Sequence, residues 1–449
     1  MRRLAPVLLV VTLLAGCTLG PDYVRPQTPQ HPAYHRDTPP GSSIADLPWW
    51  EIFSDPTLDD LIRTALDNNR NLRVSLARIE EARARLGVVR ADLYPNIVYG
   101  ANAGYADATE GDNSTSAVAF ADVSYLVDLW GRVRRSNEAA LRDLLATEEA
   151  YGVVTITLVA DVAHAYFQLR GIDKRLDISE RTIEIRQNSL DIVQVRFDAG
   201  MVSEVDVHQA RIQLTGAQVT VETFKRLRAQ TENAISLLLG QPPMSIPRGL
   251  PFDDQIFPPE VPAGLPSELV ERRPDIRQAE QLLAAQTARI GVAEAARFPS
   301  LTLSADLGAS VTNGLEAGFL SLGLDLFGPL FQAGKNKRRV EIEVARTEQL
   351  LAQYEQSILA AFREVEDAMV AVETYHAEHE ILLIQVASAQ AAVDLSWARY
   401  EEGITSFLEV LDIERSLFTS KLRATDAQEF RFTSIVQLYR ALGGGWRSE

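Results

Sequence analysis

The chain is written twice, and each copy changes its hydrophobic period midway. In residues 60–240 a helical stretch ends at Tyr94-Pro95 and two alternating runs follow. Asp128-Leu129-Trp130-Gly131 then opens a long heptad segment that stops at Arg196-Phe197-Asp198-Ala199-Gly200, before a last helical stretch. Residues 264–442 repeat these landmarks at Phe298-Pro299, Asp325-Leu326-Phe327-Gly328 and Arg399-Tyr400-Glu401-Glu402-Gly403. A near-constant offset between matching landmarks marks a duplicated architecture. Period 3.6 gives way to period 2 and back in each copy. The expected fold is therefore mainly α with a small β part, and the interleaving makes it one fold rather than two separable domains.

In the second copy Val344, Leu351, Ile358, Val365, Val372, His379, Val386, Val393 and Tyr400 fall in sevens. A companion row runs through Tyr354, Ala361, Ala368, Tyr375, Leu382 and Ala389. The first copy repeats the pattern at Val162, Leu169, Leu176, Ile183, Leu190 and Phe197. A strict seven-residue apolar repeat keeps one seam against a partner and imposes a left-handed supercoil. The spacing predicts long helices over 131–198 and 331–402. With no Pro or Gly between Lys335 and Glu401, the second would be about 100 Å long at 1.5 Å per residue. Shorter helices near 72–93, 204–239, 276–297 and 406–442 have about the summed length to return alongside.

Strands are predicted over 96–107, 117–128, 300–311 and 319–327. Leu301, Leu303, Ala305, Leu307, Ala309 and Val311 share one face, and Ser300, Thr302, Ser304, Asp306, Gly308 and Ser310 share the other. Leu320, Leu322, Leu324 and Leu326 continue the apolar face; Ile97, Tyr99, Ala101, Ala103 and Tyr105 form it in the first copy. Such runs have about the length of a tilted transmembrane strand. They equally fit hairpins packed apolar side inward on a soluble core. An open sheet edge is not tolerated in lipid, so spanning strands require several chains to share one barrel. Two chains would supply eight strands and three would supply twelve; the sequence does not choose.

The N-terminus favours the membrane. Arg2-Arg3, the apolar run Val7–Leu14 and Leu14-Ala15-Gly16-Cys17 compose a lipoprotein leader over 1–16. Cys17 is the only cysteine, so it has no disulfide partner within the chain, and lipidation is its expected fate. Residues 17–59 form a lipidated strap, Pro-rich over 18–48, and 443–449 a short tail. No apolar stretch beyond the leader is read as a transmembrane helix, which leaves the strands to span. The net charge of −17 argues against nucleic acid and suits a water-filled duct that disfavours anions. There is no Walker loop, dinucleotide fingerprint or Gly-x-Ser-x-Gly, and the glutamates fall on solvated helix positions. No catalytic residue, cofactor or metal is expected beyond the lipid on Cys17. His376 and His379 are three apart on a helix, but His379 fits the apolar seam and His376 a wet flank.

These residues resemble the TolC-like outer-membrane efflux channels, in their lipoprotein branch. The resemblance covers essentially the whole mature chain. It rests on Cys17 with Pro21-Asp22-Tyr23; Trp50, Phe53 and Asp55-Pro56; Asp128-Leu129-Trp130-Gly131-Arg132; Arg272-Arg273-Pro274-Asp275-Ile276; Phe298-Pro299-Ser300; and Leu438-Tyr439-Arg440-Ala441-Leu442-Gly443-Gly444-Gly445-Trp446. It implies a homotrimer with a twelve-stranded outer-membrane barrel continued by a periplasmic α-helical tunnel. It also implies docking to a periplasmic adaptor and an inner-membrane pump. One departure is Tyr125-Leu126, where the family usually has Trp-Glu.

The two helix-turn-helix ends, Arg196–Asp206 and Arg399–Asp412, align without gaps, pairing Gly200 with Gly403, Ser203 with Ser406 and Asp206 with Glu409. The resemblance places a periplasmic gate at Asp206, Glu409 and Asp412, with Tyr400 in a hydrogen-bonded latch. TolC has an arginine where Thr405 stands, so its salt-bridge latch cannot be copied here. Carboxylates gathered on a three-fold axis would form a cation-preferring ring. Ser203 with Asp206 and Ser406 with Glu409 also fit capping boxes, a purely structural role. Asp412, one turn further on, has no capping role. Gly200 and Gly403 are read as helix C-terminal hinge residues with positive φ. The expected function is the gated exit duct of a tripartite efflux pump. The alternatives are a non-conducting coiled-coil spacer lipoprotein and an ungated porin-like channel.

Overall fold

The structure is a computed structural model that describes residues 18–27, 49–106, 114–258 and 266–444. The leader, Cys17, most of the strap and the end of the tail lie outside these residues. Elements follow one another as α1 (Pro56–Asn68), α2 (Arg70–Ala91), β1 (Asn96–Ala106), β2 (Ser114–Val127), α3 (Arg132–Asp198) and α4 (Glu204–Leu238). Next come α5 (Pro266–Arg272), α6 (Pro274–Ala295), β3 (Ser300–Thr312), β4 (Leu315–Phe327), α7 (Lys335–Glu401) and α8 (Phe407–Ala441). The two long helices are 67 residues each, and the helices that follow them are 35 each.

The chain forms two compact units. The first comprises the described residues of Met1–Pro29 with Ser75–Ala150 and Asp275–Ile358. Its centre is an antiparallel sheet in the order β1-β2-β3-β4, so β1 and β4 are its edges. Registers Ile97↔Val123, Ala121↔Leu307 and Leu307↔Leu320 place the apolar residues of all four strands on one face. That face is bare: Tyr99 is 93% exposed and Leu322 79%. The opposite face is mostly polar, interrupted by Val98, Val118 and Leu126 and by two rings that cover glycines. Phe120 lies over its register partner Gly100, and Phe319 over Gly308, leaving no room for a Cβ at either glycine.

β2 begins at Ser114 and β4 at Leu315, earlier than the alternation marks; β4 does so because Asn313-Gly314 makes a two-residue turn. Both residues have positive φ (51° and 82°), the conformation that matches the twist of a hairpin. Asn313 also exchanges hydrogen bonds with Thr115, its backbone N–H donating to the Thr115 carbonyl and its side chain accepting from the Thr115 N–H. At the other end of the sheet the Trp130 indole donates to the Pro299 carbonyl at 2.7 Å and stacks on Phe298, joining the two copies. Asp128 accepts from the Val133 and Arg134 N–H groups and thereby starts α3.

The strap residues are clasped here. Arg135 donates to the Leu19 and Gly20 carbonyls and to Asp22, while Tyr23 and Arg25 both bind Glu280. Gly20 lies so close to Gly291 that a Cβ would overlap its backbone.

The second unit comprises the described residues of Gln30–Val74, Tyr151–Pro274 and Leu359–Glu449. Its largest core contains Phe53, Tyr166, Phe167, Phe432 and Tyr439, with Phe167 and Phe432 stacked at 4.7 Å. Asp55 is fully buried within this unit. It accepts from the Tyr166 hydroxyl at 2.6 Å and from Gln255 at 2.8 Å while capping α1 through the Thr57 N–H. In this unit the heptad seam is buried at Val365, His379, Val393 and Tyr400. Contrary to the expectation, α3 and α7 each carry an 18-residue window apolar enough to cross a membrane by length and composition. Heptad seams rich in Val, Leu and Ala satisfy that test without spanning anything.

Candidate functional site

The paired helix turns belong to the second unit. α3 ends in a Schellman motif: the Met201 N–H reaches the Arg196 carbonyl at 2.9 Å and the Gly200 N–H the Phe197 carbonyl at 2.8 Å. α7 ends identically, with Ile404 on Arg399 at 2.8 Å and Gly403 on Tyr400 at 3.1 Å. Gly200 and Gly403 have φ of 70° and 75°, with open space where a Cβ would point. Both are helix stops that need the left-handed region, as their sequence positions imply.

The carboxylates take different partners. Asp206 accepts from the Ser203 backbone N–H at 3.0 Å and from its hydroxyl at 3.1 Å, so the capping role is present. Glu409 does not cap Ser406. Its carboxylate binds the Thr405 hydroxyl and, at 3.3 Å, the Arg399 guanidinium. The extra methylene of Glu and the hydroxyl of Thr405, where the first copy has Val202, account for the difference. Asp412 is exposed and pairs with Arg415 on the same helix face.

Tyr400 is buried, yet its hydroxyl has no hydrogen-bond partner among the described residues. The ring instead packs with Trp397 and Phe407 in a cluster with Val193, Val207, Val410 and Leu411. Sequence reasoning missed Arg196. Its guanidinium lies 4.5 Å from the Tyr400 ring centroid and donates to the Tyr400 and Glu401 carbonyls at 3.3 and 3.4 Å. Behind this cluster the Trp397 indole donates to the buried Glu414 carboxylate at 2.8 Å. Burial pushes the Glu414 pKa up, against the opposing pull of Trp397, Arg186 and Ser189. Burial likewise lowers the pKa of Arg186, which donates to the Gln213 carbonyl at 2.6 Å.

His379 is buried near Phe257, and burial followed by the Arg431 charge lowers its pKa. His376 is exposed. Among the described residues no cluster of three or more His, Cys, Asp or Glu side chains could hold a metal ion.

A family model for outer membrane efflux proteins matches residues 61–241 and 265–444. The chain belongs to this family. It is 35% identical to the toluene efflux pump outer membrane protein TtgC of Pseudomonas putida, over 99% of this chain and 96% of that protein. It is 36% identical to outer membrane protein OprJ of Pseudomonas aeruginosa, over 98% and 95%. The open state of the MtrE outer membrane channel of Neisseria gonorrhoeae superposes with a TM-score of 0.88 at 31% identity, covering 96% of this chain and 99% of that one. The protein is thus an outer membrane component of an efflux system. Within the family frame the departure at Tyr125-Leu126 is located: Leu126 is the register partner of Thr302, on the polar face of the sheet.

Proposed function

We propose that three copies of this chain close their sheets into one twelve-stranded barrel and form a gated exit duct, passive in itself. The observation that carries this reading is the sheet: one face predominantly apolar and largely exposed, the other mostly polar, with β1 and β4 as open edges. A sheet in lipid must close, and one of four strands closes only by pairing β4 of one copy with β1 of the next. The polar faces then line a water-filled lumen. Cys17, acylated, anchors the strap to the membrane. A periplasmic adaptor and an inner-membrane pump supply energy and choose the cargo; no catalytic step is assigned to this chain. The toluene pump that gives TtgC its name supports small apolar solutes as one cargo class.

The gate lies at the helix turns 196–206 and 399–412. Asp412 is its best carboxylate, since among the described residues it pairs with a solvated arginine three residues on, whereas Asp206 and Glu409 are engaged in holding their own turns. Single-channel conductance in a planar bilayer tests this. The wild type should show a small, cation-preferring conductance, and Asp206→Ala with Glu409→Ala and Asp412→Ala should raise it or abolish selectivity. A large conductance indifferent to these substitutions would mean an ungated pore. No conductance from either protein would mean a spacer.

A further inference from the structure

Arg196 and Arg399 occupy the same position in the duplicated turns, yet they do different things. Arg399 stays within its own hairpin on Glu409. Arg196 crosses to the other hairpin, where it lies over the Tyr400 ring and donates to two carbonyls at the C-terminus of α7. The cause is local. Asp206 is shorter than Glu409 and is held by the Ser203 N–H and hydroxyl. Val202, unlike Thr405, has no hydroxyl to steer a carboxylate toward the arginine. Arg196 is left without an acid in its own hairpin and finds the negative end of the neighbouring helix instead. The Schellman bonds of that helix satisfy the Arg399 and Tyr400 carbonyls but not that of Glu401, and Arg196 reaches this orphan acceptor.

We propose that Arg196 is the latch of this gate: a positioning residue that ties the first turn to the second through the backbone end of α7 and the Tyr400 ring face, without the Tyr400 hydroxyl. The proposal rests on the gated-duct reading above. A fork of N–H donors on helix-end carbonyls, backed by a cation on an aromatic face, holds two hairpins at one angle. It can also be released, because both partners lie at a partly exposed end where water can replace the bonds. Losing the tie lets the two turns splay apart about the small core of Val193, Val207, Phe407 and Val410.

The test is the open fraction of single channels formed by the full, lipidated protein in planar bilayers. Arg196→Gln should raise it roughly tenfold, the ratio that one charge-assisted hydrogen-bond pair is worth. Arg196→Lys, which keeps the charge but not the fork, should recover part of the loss. Tyr400→Leu should act in the direction of Arg196→Gln, and Tyr400→Phe more weakly. A combined Val202→Thr, Asp206→Glu variant retains Arg196 but rebuilds the second hairpin's arrangement in the first. It should divert the arginine and open the channel as Arg196→Gln does, which keeps the idea testable if truncated variants fold poorly. If Asp412→Ala alters conductance while Arg196→Gln and the combined variant match wild type, the gate stands and the latch is wrong. If none of them alters conductance, the gated reading falls and takes the latch with it.

Discussion

Asp206 and Glu409 show how a matched pair in sequence diverges through one methylene and one hydroxyl. Asp206 closes the capping box of α4 from its third position, with Ser203 as the N-cap, so Asp206→Ala should cost about 1 kcal/mol of stability. Asp206→Glu, which can still form the box, should cost little; thermal unfolding of the purified protein separates the two. Glu429 offers a pH test. It is buried against Gly171, where a Cβ would collide with its carboxylate, and pairs with Arg175 at 2.8 Å. Burial raises its pKa from 4.5 to about 7, with Asp426 adding to the rise and Arg175 opposing it. The folded state therefore holds this proton more tightly than the unfolded chain. Its contribution is complete below about pH 4.5 and is lost as pH rises through about 7, amounting to no more than ~3 kcal/mol. Unfolding temperature should fall across that window, and Glu429→Gln should flatten the dependence. An unchanged slope in Glu429→Gln would assign the dependence to other groups. Gly200, Gly403 and the Ser203–Asp206 box were legible in sequence because each acts within a few residues. Arg196 was not, because its partners lie two hundred positions away and the alignment suggests the same local role as Arg399.

At the scale of elements, alternation located the four described strands but not the start of β2, where Ser114, Thr115 and Ser116 extend the strand, or of β4, where Leu315 follows a two-residue turn directly. The Asn313-Gly314 dipeptide carried the missing signal for one hairpin, since it favours a two-residue turn over a longer linker. The seven-residue seam was legible from Val162 and Ile358 onward, because a side chain every second turn has one available face. The same apolar content raised a membrane-helix signal that the expectation passed over, and only packing distinguishes the two. The sheet itself makes a sharp prediction. Leu322 lies on the apolar face, and Ser321 on the polar face opposite Asp306. Leu322→Arg should cost about 2–4 kcal/mol in lipid and deplete the protein from the outer-membrane fraction. Ser321→Arg, facing a carboxylate in a wet lumen, should insert normally. Equal depletion by both, or by neither, would mean that the faces are not lipid and lumen.

The whole molecule carries a second seam that the single chain leaves bare. Val205, Ile212 and Val219 on α4 stand seven residues apart and are 60%, 65% and 68% exposed. On α7, Ile381 and Leu395 are two heptads apart, with Ile384 beside the same row, and all three are equally uncovered. A helix that presents one apolar row to its own chain and another to solvent has two neighbours in its working state, as in the staves of a closed helical wall. Each such side chain stabilises assembly by about 1.5–3 kcal/mol when fully covered. The bare seam belongs to the second compact unit and the open strand edges to the first, so two independent features call for the same partner, a further copy of this chain. Ile212→Glu combined with Val219→Glu should leave the helical content of the chain intact, since both residues are solvent-facing within it. Native mass measurement in detergent should then find wild type as three copies and the variant as one, or as an assembly that dissociates at lower temperature. Three equally stable copies in both would leave the sheet edges as the sole site of assembly and assign the exposed seam to the adaptor instead.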